Sequence, residues 1–479
     1  MSAASGSIAL VGGALELARW QFALTTLFHF VFVPLTLGLV PFLAVLQTLA
    51  HRRPHERARW ERLTRFFGAL FLVNFAIGAA TGLVQEFQFG MSWSVFSETV
   101  GDVFGSPLAI EGLGAFMLES TFIGLWVFGR DRLSPRVHLA TIYLVWLGTW
   151  ASAYFIIAAN SWMQHPVGYE LDPETGAARA NDILAILFQR FAVMAWGHAI
   201  LAALTTGAFV VLGVACWHLL RRRNQELFLP VARLALWVAL PVATLNLLWG
   251  SELGVVVTDA QPMKIAATEA LWETEQPAGF SLVQIGGFTQ DDQTPSFEIE
   301  IPYLLSLLAT NSLDGEVVGM NELQAADEAQ YGPGSYVPDV RLVYWSMRAM
   351  AYLGTLLVLV ALWGTWLARR GRLETAHGFH RVALVAIAFP FLSNFAGWIL
   401  TEAGRQPWVV YGLLRTEDAV SPLVGTGTVA LSLTVFVTLY AVLGALDFVL
   451  MRRFARLDPP TLEPDAGAGE LPPRGAPGY

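Results

Sequence analysis

The chain has 479 residues, 55% of them hydrophobic and only 14% charged, with a mean hydropathy of +0.52; a soluble domain carries about 25% charged residues, so an ordinary soluble enzyme is excluded. The 29 Lys and Arg against 38 Asp and Glu give a net charge of -9, which leaves no basic surface for nucleic acid. The single Cys216 cannot close an intrachain disulfide, hold an iron–sulfur cluster or supply a CxxCH haem attachment, so any cofactor is held without covalent bonds.

Apolar runs of roughly 18 or more residues recur along the chain, each long enough for a membrane-spanning helix. The first starts near Gln21 and carries His29; because the first basic residue is Arg19, it lacks the n-region of a signal peptide and is expected to stay. A second begins near Phe66. The third, from about Pro107, holds Glu111 and Glu119, which eight residues of helix separate by about 12 Å of rise and about 80° of rotation on one broad face. Two carboxyls stepped through a membrane suggest a proton relay, the alternative being a solvated cavity. The fourth, fifth and sixth runs start near Val137, Phe191 and Val231, and the fifth contains His198.

A loop of about residues 258–340 follows, too long to be a plain connection. It holds Lys264, the only lysine of the chain, and Glu269 five residues later; the two could hydrogen-bond a polar head group or form a solvated salt bridge on a loop helix. Its Ser296–Thr310 stretch is apolar but carries Glu298 and Glu300, and is expected as an interfacial helix. The seventh run, from about Leu342, contains Arg348 and Met350. The eighth, from about Val382, ends at Glu402 and Arg405, one turn apart and so able to neutralise each other. The ninth starts near Leu423, and the Pro- and Gly-rich residues 457–479 are expected to be disordered. No internal repeat is visible, which weighs against transporters built from two related halves.

Nine spans put the termini on opposite sides. Arginines cluster after spans one, three, five, seven and nine, for example Arg52 to Arg65, Arg221 to Arg223 and Arg369 to Arg372. The positive-inside rule makes these loops cytoplasmic, with the N-terminus and the long loop outside. His29, His198 and Met350 then lie about 10 to 14 Å below the outer ends of their helices, on inward-running spans. A His and a Met level with each other in a bundle are the ligand set of a six-coordinate, low-spin haem. Taken alone, a buried His more often hydrogen-bonds a neighbouring helix, and Met is ordinary core filler.

Four stretches give these residues a context: WQFALTTLFHFVFVPLTLG (Trp20 to Gly38), EFQFGMSWSVFSETVGDVFGSPLAIEGLGAFMLESTFIG (Glu86 to Gly124), KIAATEALWET (Lys264 to Thr274) and GWILTEAGRQPW (Gly397 to Trp408). With them the chain resembles subunit I of the cytochrome bd quinol oxidases over nearly its whole length to about Arg456. The resemblance implies an all-α membrane protein with a haem-binding bundle over residues 1–456 and an external Q-loop of the short class. It implies that His198 and Met350 ligate haem b558 with Arg348 near its propionates, and that His29 and Glu402 ligate two high-spin haems, b595 and d, in an order the family varies. Trp398 would lie between haems and Arg405 beside them. Glu111 and Glu119 would carry protons, with Ser120 and Ser152 as hydroxyl partners, and Lys264 and Glu269 would bind quinol.

The implied activity is oxidation of menaquinol or ubiquinol at the outer face of a bacterial cytoplasmic membrane and reduction of dioxygen to water with cytoplasmic protons, without pumping. The implied partners are a homologous subunit II, small single-span subunits and membrane lipid. A variant with a third haem b in place of haem d is the first alternative, since ligands do not select the macrocycle; a proton-coupled transporter without haem is the second.

Overall fold

Span length is the first thing the apolar runs dictate. The computed structural model describes residues 2–461, with side chains from Gly13 onward. Among the described residues nine helical segments are long and apolar enough to cross a membrane: Gly13–Arg52, Pro54–Ser92, Ser94–Phe128, Pro135–Gln164, Arg190–Leu220, Gln225–Ala260, Val340–Arg369, His377–Ala403 and Thr426–Arg456. They are numbered here as spans one to nine, and they match the nine expected from the sequence.

Three spans are interrupted, and proline chemistry accounts for the positions. In span one the helix stops at His29 and restarts at Phe32; Pro34 has no N–H to give the Phe30 carbonyl, and its ring crowds that oxygen. In span eight the break at Ile387 separates His377–Ala386 from Ala388–Ala403, four residues after which the Ala386 carbonyl would have met the missing N–H of Pro390. Span three contains Pro107 and then a π-helical segment at Glu111–Phe116, a widened turn of the kind found at functional sites. His29 and Glu111 therefore stand at backbone irregularities, where local geometry differs from that of a straight helix.

The largest core lies toward the Arg-rich end. Leu39, Leu43, Phe67, Phe71, Phe209 and Phe228 from spans one, two, five and six are fully buried there. Spans one and five touch backbone to backbone: a Cβ on Gly38 would fall 2.0 Å from the Ala203 carbonyl oxygen, and one on Gly207 would meet Gly38 in turn. Small residues replace the hydrophobic effect as the reason helices approach in lipid. At the same end Arg62 donates to the Pro459 and Pro460 carbonyls and Asn224 to Asp458. From residue 462 on, the tail expected to be disordered lies outside the described residues.

The long loop is folded. It consists of a helix at Pro262–Glu269, a hairpin pairing Phe280–Gly286 with Pro295–Ile301, and helices at Leu304–Thr310 and Met320–Tyr331. The interfacial helix expected over Ser296–Thr310 is thus half wrong. Phe297, Ile299 and Ile301 alternate with Glu298 and Glu300, a period of two that belongs to a strand, and helix begins only after Tyr303, whose φ of 68° turns the chain. Two more short hairpins, Tyr169–Leu171 with Ala178–Ala180 and Trp408–Val410 with Leu414–Arg415, add to a predominantly helical fold.

Candidate functional site

A cavity of about 990 Å³ opens among spans one to four and eight, and His29, Glu111, Glu119, Trp398, Glu402 and Arg405 all line it. Its volume is at the upper end of the roughly 300–1,000 Å³ of ordinary ligand sites. Six residues from three separate spans and the turn after span eight therefore share one space, although up to 376 positions divide them in sequence.

His29 is oriented before any ligand arrives. Its Nδ1 is 3.0 Å from the Thr81 hydroxyl, which leaves Nε2 for another partner. Gly82 makes room for the ring, since a Cβ there would lie 3.0 Å from His29 Cε1. Tyr440 of span nine donates to the Thr81 carbonyl at 3.1 Å and stacks on Phe28 at 4.9 Å, bracing the same turn. Holding one imidazole nitrogen by hydrogen bond fixes the tautomer that the other presents to a metal.

Glu402 accepts from Asn160 at 2.8 Å and pairs with Arg405, as the one-turn spacing predicts. Arg405 is buried, and its Nε and Nη1 have no hydrogen-bond partner among the described residues. Burial lowers its pKa, and the Glu402 charge counteracts this. Trp398 lies 5.3 Å from the Phe30 ring, centroid to centroid. On the far side Glu111 accepts from Ser152 at 2.6 Å, whereas the buried Ser120 hydroxyl has no partner among the described residues. Glu119 packs against Gly148, where a Cβ would come within 2.8 Å of its backbone nitrogen.

The two loop residues do not pair with each other. Lys264 donates to Gln164 at 2.6 Å and lays its stem on Gly404, where a Cβ would sit 2.8 Å from its Cγ. Glu269 instead binds Arg348 through both oxygens, at 2.7 and 3.1 Å. Lys264 and Glu269 are 4% and 5% exposed, so the solvated salt bridge is excluded. Burial and the nearby Arg405 push the Lys264 pKa well below its usual value, opposed by Glu402; burial raises that of Glu269 while Arg348 pulls it back. The Arg348 guanidinium, expected near a propionate, is thus taken up by Glu269 and by the Ser281 carbonyl at 3.1 Å, and lies 3.7 Å over the Tyr344 ring.

His198 and Met350 are seated on glycines of different spans. A Cβ on Gly250 would lie 3.0 Å from His198 Cε1, and one on Gly397 would lie 2.9 Å from Met350 Sδ. The helices that carry them start at Arg190 and Val340, which puts the two about 12 and about 15 Å along their axes. His198 Nδ1 is buried without a partner among the described residues. These residues fit haem: imidazole and thioether donors stand where neighbouring glycines leave space, and Arg405 offers two unanswered donors that match a carboxylate.

Sequence reasoning missed several contributors. Glu86 lines the cavity and lies within electrostatic reach of Glu111; a carboxylate near the end of span two was the available signal. Asn160, Gln164 and Thr81 act only through partners on other helices, which spacing does not reveal.

Known proteins match most of the chain. The family model for cytochrome bd terminal oxidase subunit I matches residues 17–459. The chain is 45% identical to the cytochrome bd ubiquinol oxidase subunit 1 of Bacillus subtilis (strain 168) over 92% of this chain and 93% of that one. It is 36% identical to the cytochrome bd-II ubiquinol oxidase subunit 1 of Escherichia coli (strain K12), over 94% and 98%. The solved bd oxidase from Geobacillus thermodenitrificans superposes with a TM-score of 0.83 at 27% identity, covering 92% of this chain and 98% of that one. With nine apolar spans and this cavity, the chain belongs to the cytochrome bd terminal oxidase subunit I family, and is a multi-pass membrane subunit of a terminal respiratory oxidase.

Proposed function

We propose that the chain is the haem-binding subunit of a quinol:dioxygen oxidase, working in a bacterial cytoplasmic membrane with a homologous subunit II and one or more small single-span subunits. The observation that carries this reading is the convergence of His29, Trp398, Glu402 and Arg405 with Glu111 and Glu119 on one cavity. Family membership removes the transporter alternative.

His198 and Met350 would hold the low-spin haem b558, and His29 and Glu402 the two high-spin haems, b595 with either haem d or a third haem b. When bound, the iron supplies one-electron transfer and a site for dioxygen. The chain does the rest. Thr81 fixes the His29 ring, Arg405 and Asn160 hold the Glu402 carboxylate, and Arg405 keeps two donors for a propionate.

At the loop, Lys264 and Glu269 would meet menaquinol or ubiquinol. Burial disfavours the charged form of this lysine, which suits it to accept a proton from a quinol hydroxyl, and its partner Gln164 orients it. With the Arg-rich ends cytoplasmic and the N-terminus outside, quinol protons leave on the outer side. Protons for water formation pass from the cytoplasmic side through Glu119 and Glu111, and the Ser152 partner of Glu111 helps its carboxyl take and give a proton. Opposite sidedness of the two half-reactions separates charge without a pump.

The deciding experiment is a reduced-minus-oxidised spectrum of the oxidase with its partner subunit, followed by haem extraction. A red-absorbing chlorin band beside b-type bands is expected; b-type bands alone would mean the haem-b variant, and no haem would overturn the reading. Lys264→Ala should depress turnover with quinol by on the order of tenfold or more, as loss of a general base does, while an artificial electron donor still supports dioxygen reduction. Equal loss with both donors would make Lys264 structural.

A further inference from the structure

The hairpin of the long loop leaves its apolar face uncovered. Its inner strand turns Ser281 and Gln284 inward, where they are 2% and 3% exposed, whereas Ile285, Phe297, Ile299 and Ile301 are 57%, 50%, 46% and 39% exposed. The pairs Ile285 with Phe297 and Val283 with Ile299 are in register, so these side chains share one sheet face. Glu298 and Glu300 alternate onto the other face. Glu298 and Glu300 are exposed as well, so the outer strand has both faces uncovered, and its apolar face, which in water belongs against the protein, points away from it.

Span seven gives the depth of this face. Its exposed Trp345 and Trp366 are 21 residues apart, about 31 Å of helix, which matches the roughly 30 Å hydrocarbon thickness that interfacial tryptophans bracket. Tyr352 lies seven residues, about 10 Å, inward of Trp345, and its hydroxyl donates to the Leu282 carbonyl of the hairpin. Arg348, between them, holds the Ser281 carbonyl. Even with the tyrosine side chain reaching about one turn, roughly 5 Å, back toward the helix start, the inner strand meets span seven below the tryptophan level. The exposed stripe of that span, including Leu356 and Leu359, continues the apolar surface inward.

We infer that the Pro295–Ile301 strand is seated in the bilayer, with Phe297, Ile299 and Ile301 against acyl chains of the leaflet on the loop side. The occupant of this face is lipid because the face is continuous with the lipid-facing stripe of span seven and lies at its depth. The inference rests on the membrane-spanning fold and not on the quinol reading. It puts the buried Glu269–Arg348 pair one strand away from the hydrocarbon.

The test is nitroxide labelling of Ile299→Cys in the assembled oxidase, reconstituted in phosphatidylethanolamine and phosphatidylglycerol vesicles, with Phe297→Cys as a second site should the first fail to assemble. The native Cys216 is fully buried, and the label signal of the unsubstituted oxidase is subtracted. Asp291→Cys at the hairpin turn serves as a water reference and Leu359→Cys as a lipid reference. Power saturation at Ile299 should favour dissolved oxygen over a water-soluble nickel chelate, shifting toward the Leu359 value and away from that of Asp291. Nickel accessibility like that of Asp291 would overturn the inference, and so would inaccessibility to both, which would mean that protein covers the strand.

Discussion

Met350→Leu is expected to leave an assembled oxidase that has lost its low-spin haem signal. Leucine nearly matches methionine in volume, so the packing cost stays below about 1.5 kcal/mol, but it has no sulfur lone pair for iron. Gly397 faces the thioether, where a Cβ would come within 2.9 Å of Sδ, so the exchange keeps a side chain of similar volume against the same glycine. A reduced-minus-oxidised spectrum and the haem-to-protein ratio read the outcome. One haem of three should be lost or become high-spin, with quinol turnover falling alongside it. An unchanged spectrum in a stoichiometric preparation would remove Met350 as a ligand.

What could be read from the chain alone depended on how local each feature is. Nine spans were legible because a bilayer imposes a length on every one of them. The break after His29 was in principle legible too, in Pro34, since a proline acts on the carbonyl four residues back. The Pro295–Ile301 strand was not, because its apolar content resembled a short amphipathic helix and seven residues hold few periods of either kind. At the site, the ionisable residues stood out by their cost at membrane depth, but their partners did not. Lys264 finds Gln164 one hundred positions away and Glu269 finds Arg348 seventy-nine away, so the nearest-neighbour pairing of Lys264 with Glu269 was the natural reading and the incorrect one. Only the packing of the Pro262–Glu269 helix between spans six and seven separates the two side chains.

Glu269→Ala tests what that separation means. Arg348 is 1% exposed, and removing its carboxylate leaves a buried guanidinium with backbone carbonyls alone, at a cost of about 3–5 kcal/mol for a broken buried pair. The single variant should assemble poorly and lose haem at lower temperature. Replacing both partners, Glu269→Ala with Arg348→Met, removes the stranded charge, and apolar substitution of a whole buried pair is often neutral or stabilising. The double variant should therefore recover most of its thermal stability. Turnover separates the two roles of Glu269: if the carboxylate meets quinol, the stable double variant still fails with quinol while an artificial donor supports dioxygen reduction. If stability and quinol turnover return together, the pair only braces the loop against span seven, and quinol must be bound through Lys264 and the groups around Gly404.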